Sequence, residues 1–265
     1  MTSPVDGSNV FSDWVTVLTT VPLLPLPPNS ERIAFETERL ILRPPNEDDL
    51  AALHEMRTQP EVMRNTRRAV IDESMDVTRG VLAPFLPPGD ARTFNCAICL
   101  REAGDNKLIG LGGVYVFHSV YGWPELGYMF NSSYWGKGYA TEFVRGFLQL
   151  YSQLPRPETP QPLRVTRSSL PADLAARAGP GTDDKGDYDA DPEALARTVT
   201  ADTVMVEEKL TAIVPDRNAE SNKVVRKSGF KEFTQYLNED SRLPGSGTKI
   251  MLRVYEYLPS KKAFE

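Results

Sequence analysis

Apolar and polar positions along this chain fall into alternating strand-like and helix-like stretches. Residues 35–43 (FETERLILR) carry apolar side chains at strand spacing, and Pro44 and Pro45 end the run because proline supplies no ladder donor. Asn46 then predicts the start of a helix over about 47–57, with Asp48 and Asp49 where the positive helix end favours acids. Residues 58–68 form a connection with a basic end. A second helix is predicted over 71–83, weakened at Gly80 and stopped by Pro84. Three strand-like runs follow at 93–101, 107–117 and 124–131. Their short connections, 103–106 and 118–122, predict an antiparallel meander. Helical spacing covers 136–151. A strand is predicted over 205–214, then a helix from Asn218 to about Ser228 with Gly229 as its C′ glycine, then strands over 230–237 and 248–257. This order predicts an α/β (α+β) fold with a mixed, mostly antiparallel sheet of about 6–7 strands and helices on both faces.

Three segments lie outside that pattern. Residues 1–32 are apolar but broken by prolines, too interrupted for a membrane span and without the basic start of a signal peptide. They predict an extension anchored by Trp14 and the leucines, lying over the domain or over a partner subunit, which would suit a homodimer. Residues 153–200 begin with Pro155, Pro157, Pro160 and Pro162 and continue into the acidic run AGPGTDDKGDYDADPE. Such a run predicts a mobile loop inserted into a single domain of about 33–258, with a brief helix near 192–197 and a strand near 162–168. Residues 259–265 are a tail.

The chemistry concentrates in residues 123–149 (WPELGYMFNSSYWGKGYATEFVRGFLQ), which read as strand, glycine-containing turn and helix. A helix N-terminus presents unpaired N–H groups and partial positive charge, and Gly136 and Gly138 let a ligand approach the main chain. Together they form an anion site suited to a phosphate or pyrophosphate. The P-loop pattern GxxxxGK[ST] is absent, and the dinucleotide pattern GxGxxG fails at Thr141.

ELGYMFNSSYWGKGYATE resembles the acetyl-CoA-binding motif of the GNAT superfamily of N-acetyltransferases, in particular the branch of ribosomal-protein N-terminal acetylases (RimJ/RimL-type). The family pattern Gln/Arg-x-x-Gly-x-Gly/Ala falls on Trp135-x-x-Gly138-x-Ala140, with Trp135 replacing the usual long donor. FETERLILRPPNEDDL (35–50) resembles the branch's first strand and helix, and VPDRNAESNKVVRKSGF (214–230) its second cofactor-side motif.

The resemblance implies a fold with two splayed central strands, here 124–131 and 205–214, and pantetheine between them. Backbone groups near Met129 and Phe130 would pair with the pantetheine amides. The backbone N–H groups of Trp135, Gly136, Lys137, Gly138, Tyr139 and Ala140 would take the pyrophosphate, with help from the Thr141 hydroxyl and the Lys137 charge. Asn218 and Asn222 would contact the cofactor, and Ser221 would hydrogen-bond its sulfur. Glu125 matches a strand glutamate that acts as general base. Its apolar surroundings also favour a raised pKa. Glu142, one turn into the helix, is expected to be structural. A family tyrosine that protonates the leaving thiolate is replaced by Val225. Arg64, Arg67 and Arg68 form a patch facing either solvent or cofactor phosphate.

Composition changes this picture little. The 265 residues carry a formal charge of −6, which argues against a nucleic-acid partner and would suit a cationic acceptor amine. The only two cysteines, Cys96 and Cys99, lie three apart in a strand-like run. They should therefore point to opposite faces as buried thiols, with no metal site and a reducing, cytoplasmic or nuclear setting. The reading is an acetyl-CoA-dependent N-acetyltransferase acting on a small-molecule amine or a protein N-terminus. A non-catalytic acyl-CoA-binding module and an interaction protein built on the same fold remain alternatives.

Overall fold

The computed structural model describes residues 5–6, 12–102, 107–182, 192–240, 242–243 and 245–259. In chain order the strands are β1 (Val5–Asp6), β2 (Trp14–Thr19), β3 (Phe35–Glu36), β4 (Leu40–Arg43), β5 (Phe94–Leu100), β6 (Leu108–Val116), β7 (Glu125–Phe130), β8 (Gln161–Thr166), β9 (Leu210–Pro215), β10 (Lys231–Glu239) and β11 (Lys249–Tyr257). The helices are α1 (Leu50–Arg57), α2 (Pro60–Met63), α3 (Met75–Leu82), α4 (Tyr139–Ser152), α5 (Ala172–Arg177), α6 (Pro192–Arg197) and α7 (Ala219–Lys227). The expected turn at 103–106 and most of the acidic run lie outside the described residues. Among the described residues no helix is long and apolar enough to cross a membrane.

Nine strands form one sheet in the order β1-β10-β11-β9-β7-β6-β5-β4-β3. Pairing is antiparallel except at β1–β10 and β7–β9. On one face, Phe143, Val144, Phe147 and Tyr151 of α4 and Val225 of α7 pack on Leu40, Leu42, Cys96 and Ile98. On the other, Leu53 and Met56 of α1 and Leu82 of α3 pack on Ala97, Cys99 and Leu111. Cys96 and Cys99 thus serve opposite cores, as strand alternation requires, and both are buried thiols outside any disulfide.

Several boundaries differ from the sequence pattern, the helix predicted over 71–83 beginning only at Met75 among them. The predicted first strand is a hairpin: β3 and β4 pair with each other, and the Thr37 amide and hydroxyl both donate to the Leu40 carbonyl. The strand predicted over 205–214 begins only at Leu210, because the Val204 and Val206 backbones bond instead to Leu18 in the N-terminal extension.

That extension and the 153–200 segment build one object. β2 pairs antiparallel with β8 along its full length, from Trp14↔Thr166 to Thr19↔Gln161, as a second sheet. Val15, Val17, Leu163 and Val165 of this ribbon pack on Tyr121, Trp123, Tyr236 and Val254 of the main sheet and its loops. The Trp123 indole donates to Ser169 Oγ at 2.9 Å, and Lys209 donates to the Ser169 carbonyl and to Glu256 at 2.6 Å each. The ribbon therefore caps the side of the sheet from which Glu125 emerges.

Gly122 is the tightest point of this contact. It holds φ +87°, and a Cβ there would collide with the Arg164 carbonyl of β8. Gly122→Ala should cost about 2 kcal/mol or more and lower Tm by about 4 °C or more. Gly80→Ala is the matched control, since nothing lies within 4 Å of its Cβ and α3 should gain up to about 1 kcal/mol. Thermal unfolding of the two variants checks both.

Candidate active site

β7 and β9 run parallel but share a single register pair, Glu125↔Thr211, and then diverge. The junction is held by the Pro124 carbonyl, which accepts from both the Thr211 amide and the Thr211 hydroxyl at 2.8 Å. Beyond it opens a cleft of about 640 Å³. It runs from Tyr115, Tyr236 and Leu252 at one end to Asn218, Ser221 and Val225 at the other, with Glu125 lining it near the junction.

Glu125 is 8% exposed. Burial raises its carboxyl to about 7, against the opposing effects of a hydrogen bond from Tyr115 and the charge of Arg67. The Tyr115 hydroxyl donates to Glu125 Oε1. It reaches the carboxylate because of a β-bulge: Val114 pairs with Leu126 and Val116 with Glu125, leaving Tyr115 as the extra residue. Burial, reinforced by the Glu125 charge, pushes the Tyr115 phenol far up, so the proton stays on the tyrosine. Burial also raises Tyr121 and Tyr236. The carboxylate is thus the one group in this cluster poised to exchange a proton near neutrality.

At the other end of the cleft, Asn218 caps α7 by accepting from the Ser221 amide at 3.1 Å. Burial raises the Tyr128 phenol to about 12, against the influence of nearby Ser221. The Tyr128 hydroxyl is buried without a hydrogen-bond partner, at the end of the cleft where Val225 leaves no tyrosine of its own. Asn222 does not reach the cleft. It is 4% exposed, donates to the carbonyls of Pro215, Asp216 and Asn218, and accepts from the Tyr255 hydroxyl at 2.6 Å. With both polar ends consumed it ties α7 to β9 and β11, which corrects its assignment as a cofactor contact.

The glycine turn leaves β7 through Phe130. Phe130 is buried against Phe143, and its carbonyl already accepts from the Trp135 indole at 2.9 Å. Met129, in contrast, lines the cleft. Trp135 thus uses both its donors internally, the amide donating to the Ser132 carbonyl at 3.1 Å, although the residue is 41% exposed. Gly136 (φ +74°) and Gly138 (φ +84°) both take the left-handed backbone that favours glycine. Gly138 is the N-cap of α4, and no side chain caps that end. Gly136, Lys137 and Gly138 are exposed and Tyr139, Ala140 and Thr141 half-buried, so the first amides of α4 are available to an anion. Lys137 folds back over Tyr134 and donates to the Ser133 carbonyl at 3.1 Å.

Glu142 is structural. It accepts from Thr37 Oγ1, the Arg39 amide and Arg39 Nε at 2.7 Å each. Burial would raise its carboxyl, but these donors outweigh it and hold the group low. Arg39 also donates to the Lys137 carbonyl at 3.0 Å and stacks on Tyr139. The β3–β4 hairpin thereby braces the glycine turn from below. Arg39, Tyr115 and Tyr128 carried no sequence signal of their own: each acquires its place from a bulge, a hairpin or a strand face. Arg67 and Arg68 both line the cleft, which separates them from the glycine turn.

Among the described residues no cluster of three or more His, Cys, Asp or Glu could hold a metal ion. The sequence profile of the acetyltransferase (GNAT) domain matches residues 39–231, well over half of the chain. No curated protein matches it. Among solved structures, it resembles a GNAT-family acetyltransferase from Bacillus anthracis at 18% identity, over 86% of this chain and 99% of that one, with a TM-score of 0.53. It resembles a spermidine N-acetyltransferase from Vibrio cholerae, solved with CoA and spermine, at 15% identity over 85% and 98%, TM-score 0.52. A microcin C7 self-immunity acetyltransferase, solved with acetyl-CoA and AMP, matches at 11% identity over 84% and 93%, also with a TM-score of 0.52. Likenesses at these identities are of fold. Taken with the profile match, they accompany a firm conclusion: the chain belongs to the GNAT acetyltransferase family, whose co-substrate is acetyl-CoA.

Proposed function

We propose that the protein transfers the acetyl group of acetyl-CoA to the nitrogen of a primary amine, by direct attack with Glu125 as general base. The acceptor is a small molecule or a protein N-terminus, the latter being the chemistry of the ribosomal-protein acetylase branch. The observation that carries this reading is the buried carboxylate at the strand junction, raised to about 7 and facing a continuous cleft. An ammonium has no lone pair, so a base must take its proton before the nitrogen can attack. Glu125 takes that proton, the nitrogen bonds to the thioester carbonyl carbon, and the carbon–sulfur bond breaks to release a thiolate. The Ser221 and Tyr128 hydroxyls are the donors nearest that end of the cleft. Met129 and the open strand edges hold pantetheine. The amides from Gly136 to Ala140, with Thr141, hold pyrophosphate, the Trp135 amide being taken by the Ser132 carbonyl, and Asn218 orders the loop beside it.

Free-thiol release from acetyl-CoA with a panel of amines tests the reaction. The kcat/KM of the native enzyme should rise with pH and level off above about 7, as Glu125 ionises. Glu125→Gln should lower kcat/KM by about 100-fold or more and abolish that limb, with acetyl-CoA affinity kept. Unchanged turnover in this variant would remove Glu125 as base. No thiol release with any amine, despite acetyl-CoA binding, would leave a non-catalytic module. Ser221→Ala and Tyr128→Phe should each cost less than about tenfold in kcat, because a thiol with a pKa near ~8.5 leaves with little help.

Stability moves the opposite way. The Glu125 pKa is higher folded than unfolded, so the folded state binds more protons between about 4.5 and about 7 and loses stability as pH rises through that window. Glu125→Gln should therefore match the native protein near pH 4 and exceed it at pH 8, by on the order of 2–3 kcal/mol. Chemical denaturation at the two pH values measures the difference.

A further inference from the structure

The charges lining the cleft run against those of the chain. The protein is acidic overall, yet the cleft is lined by Arg57, Arg67, Arg68 and Arg217 and by only two acids, Glu125 and Glu239. Three of the arginines are accounted for. Arg57 and Arg68 both pair with the buried Asp72, at 2.7 and 3.2 Å. Arg217 lies 3.7 Å from Asp240 and donates to the Arg64 carbonyl at 3.2 Å. Among the described residues, no carboxylate lies within ion-pairing distance of Arg67, whose charge is nonetheless felt by Glu125, Tyr115 and Tyr236.

The loop carrying Arg67 is fixed rather than left to solvent. Its start is tied to Arg217 across the cleft through the Arg64 carbonyl. Its end is tied to Asp72, which also accepts from Thr78 at 2.8 Å and from Arg57. Between them, Ala69 sits at φ +61° with its amide donating to Thr66 Oγ1 at 3.2 Å. An alanine in that region is strained, and such strain persists only where neighbouring contacts enforce it. The arrangement holds the backbone on either side of Arg67, whose exposed side chain lines the same cleft as Glu125.

We propose that the acceptor is an amine carrying a carboxylate close to its nitrogen, and that Arg67 binds this carboxylate while Glu125 faces the nitrogen. This rests on the acetyl-transfer reading and narrows it: a polycationic amine would bring like charge to Arg67, whereas an amino-acid-like zwitterion meets a complementary pair. The acidic net charge therefore does not describe the acceptor.

The test uses the full-length protein and thiol release with α-amino acids and β-alanine, each beside its own carboxamide, and with spermidine. In the native enzyme, kcat/KM for the carboxylates should exceed that for the carboxamides by about ten- to hundredfold. Arg67→Ala should collapse that ratio toward one, chiefly by loss of the carboxylate substrates, with both rates of each pair read at a pH where Glu125 is ionised, since removing the Arg67 charge also raises Glu125. A preference for carboxamides or spermidine in the native enzyme, or a ratio unchanged in Arg67→Ala, overturns the proposal. If no amine is acetylated, the same matched pairs are titrated calorimetrically against the CoA-saturated protein. Carboxylate-selective binding that depends on Arg67 would then uphold this inference while the acetyl-transfer reading falls. Equal binding within pairs, or none, overturns the inference itself.

Discussion

Everything functional in this molecule depends on one incomplete strand pairing. β7 and β9 are joined at Glu125 and Thr211 and nowhere else. A sheet normally satisfies its backbone donors and acceptors by continuous laddering, and separating two central strands leaves polar edges without that partner. Here the separation is stabilised at its root by the doubly bonded Pro124 carbonyl, with the flanking strands paired along their lengths. The gap makes the cleft, exposes strand edge for an extended ligand, and places the glutamate where the interior meets the opening. The same burial that raises Glu125 makes it a liability for stability, as expected where function and packing compete.

Support for this gap comes from opposite directions. The β3–β4 hairpin holds the glycine turn through Arg39 and Glu142. Asn222 fastens α7 beneath the second strand. The Asp72 cluster fixes the loop on the acceptor side. All three rest on a charged or amide group whose hydrogen bonds are satisfied within the protein, which lets a polar group be buried without the cost of lost hydration.

The strand–turn–helix at 123–149 was legible because local rules determine it: glycines where φ is positive, an apolar strand before, helical spacing after. The order of the elements and the opposed cysteines were legible for the same reason. What the sequence could not disclose was long-range. A bulge is a mismatch between two strands, so Tyr115 gave no sign of reaching Glu125. Asn222 looked like a ligand contact because its bonding partners, Pro215 and Tyr255, lie in other elements. Residues 153–200 read as an insertion with a strand near 162–168, but not as half of a ribbon, because the partner of β8 lies in the N-terminal extension. The net charge could not describe the cleft, since a sum over 265 residues says nothing about which of them face it.

The β2–β8 ribbon has a consequence for biosynthesis. β2 leaves the ribosome well before its partner, since more than a hundred residues separate Thr19 from Gln161. Until then the apolar face formed by Val15 and Val17 has no native surface to cover it, and the loop to be closed is long. The ribbon must therefore dock after translation has passed the glycine turn. The nascent chain carries the glycine turn before it carries the cap that seals the base of the sheet beside Trp123.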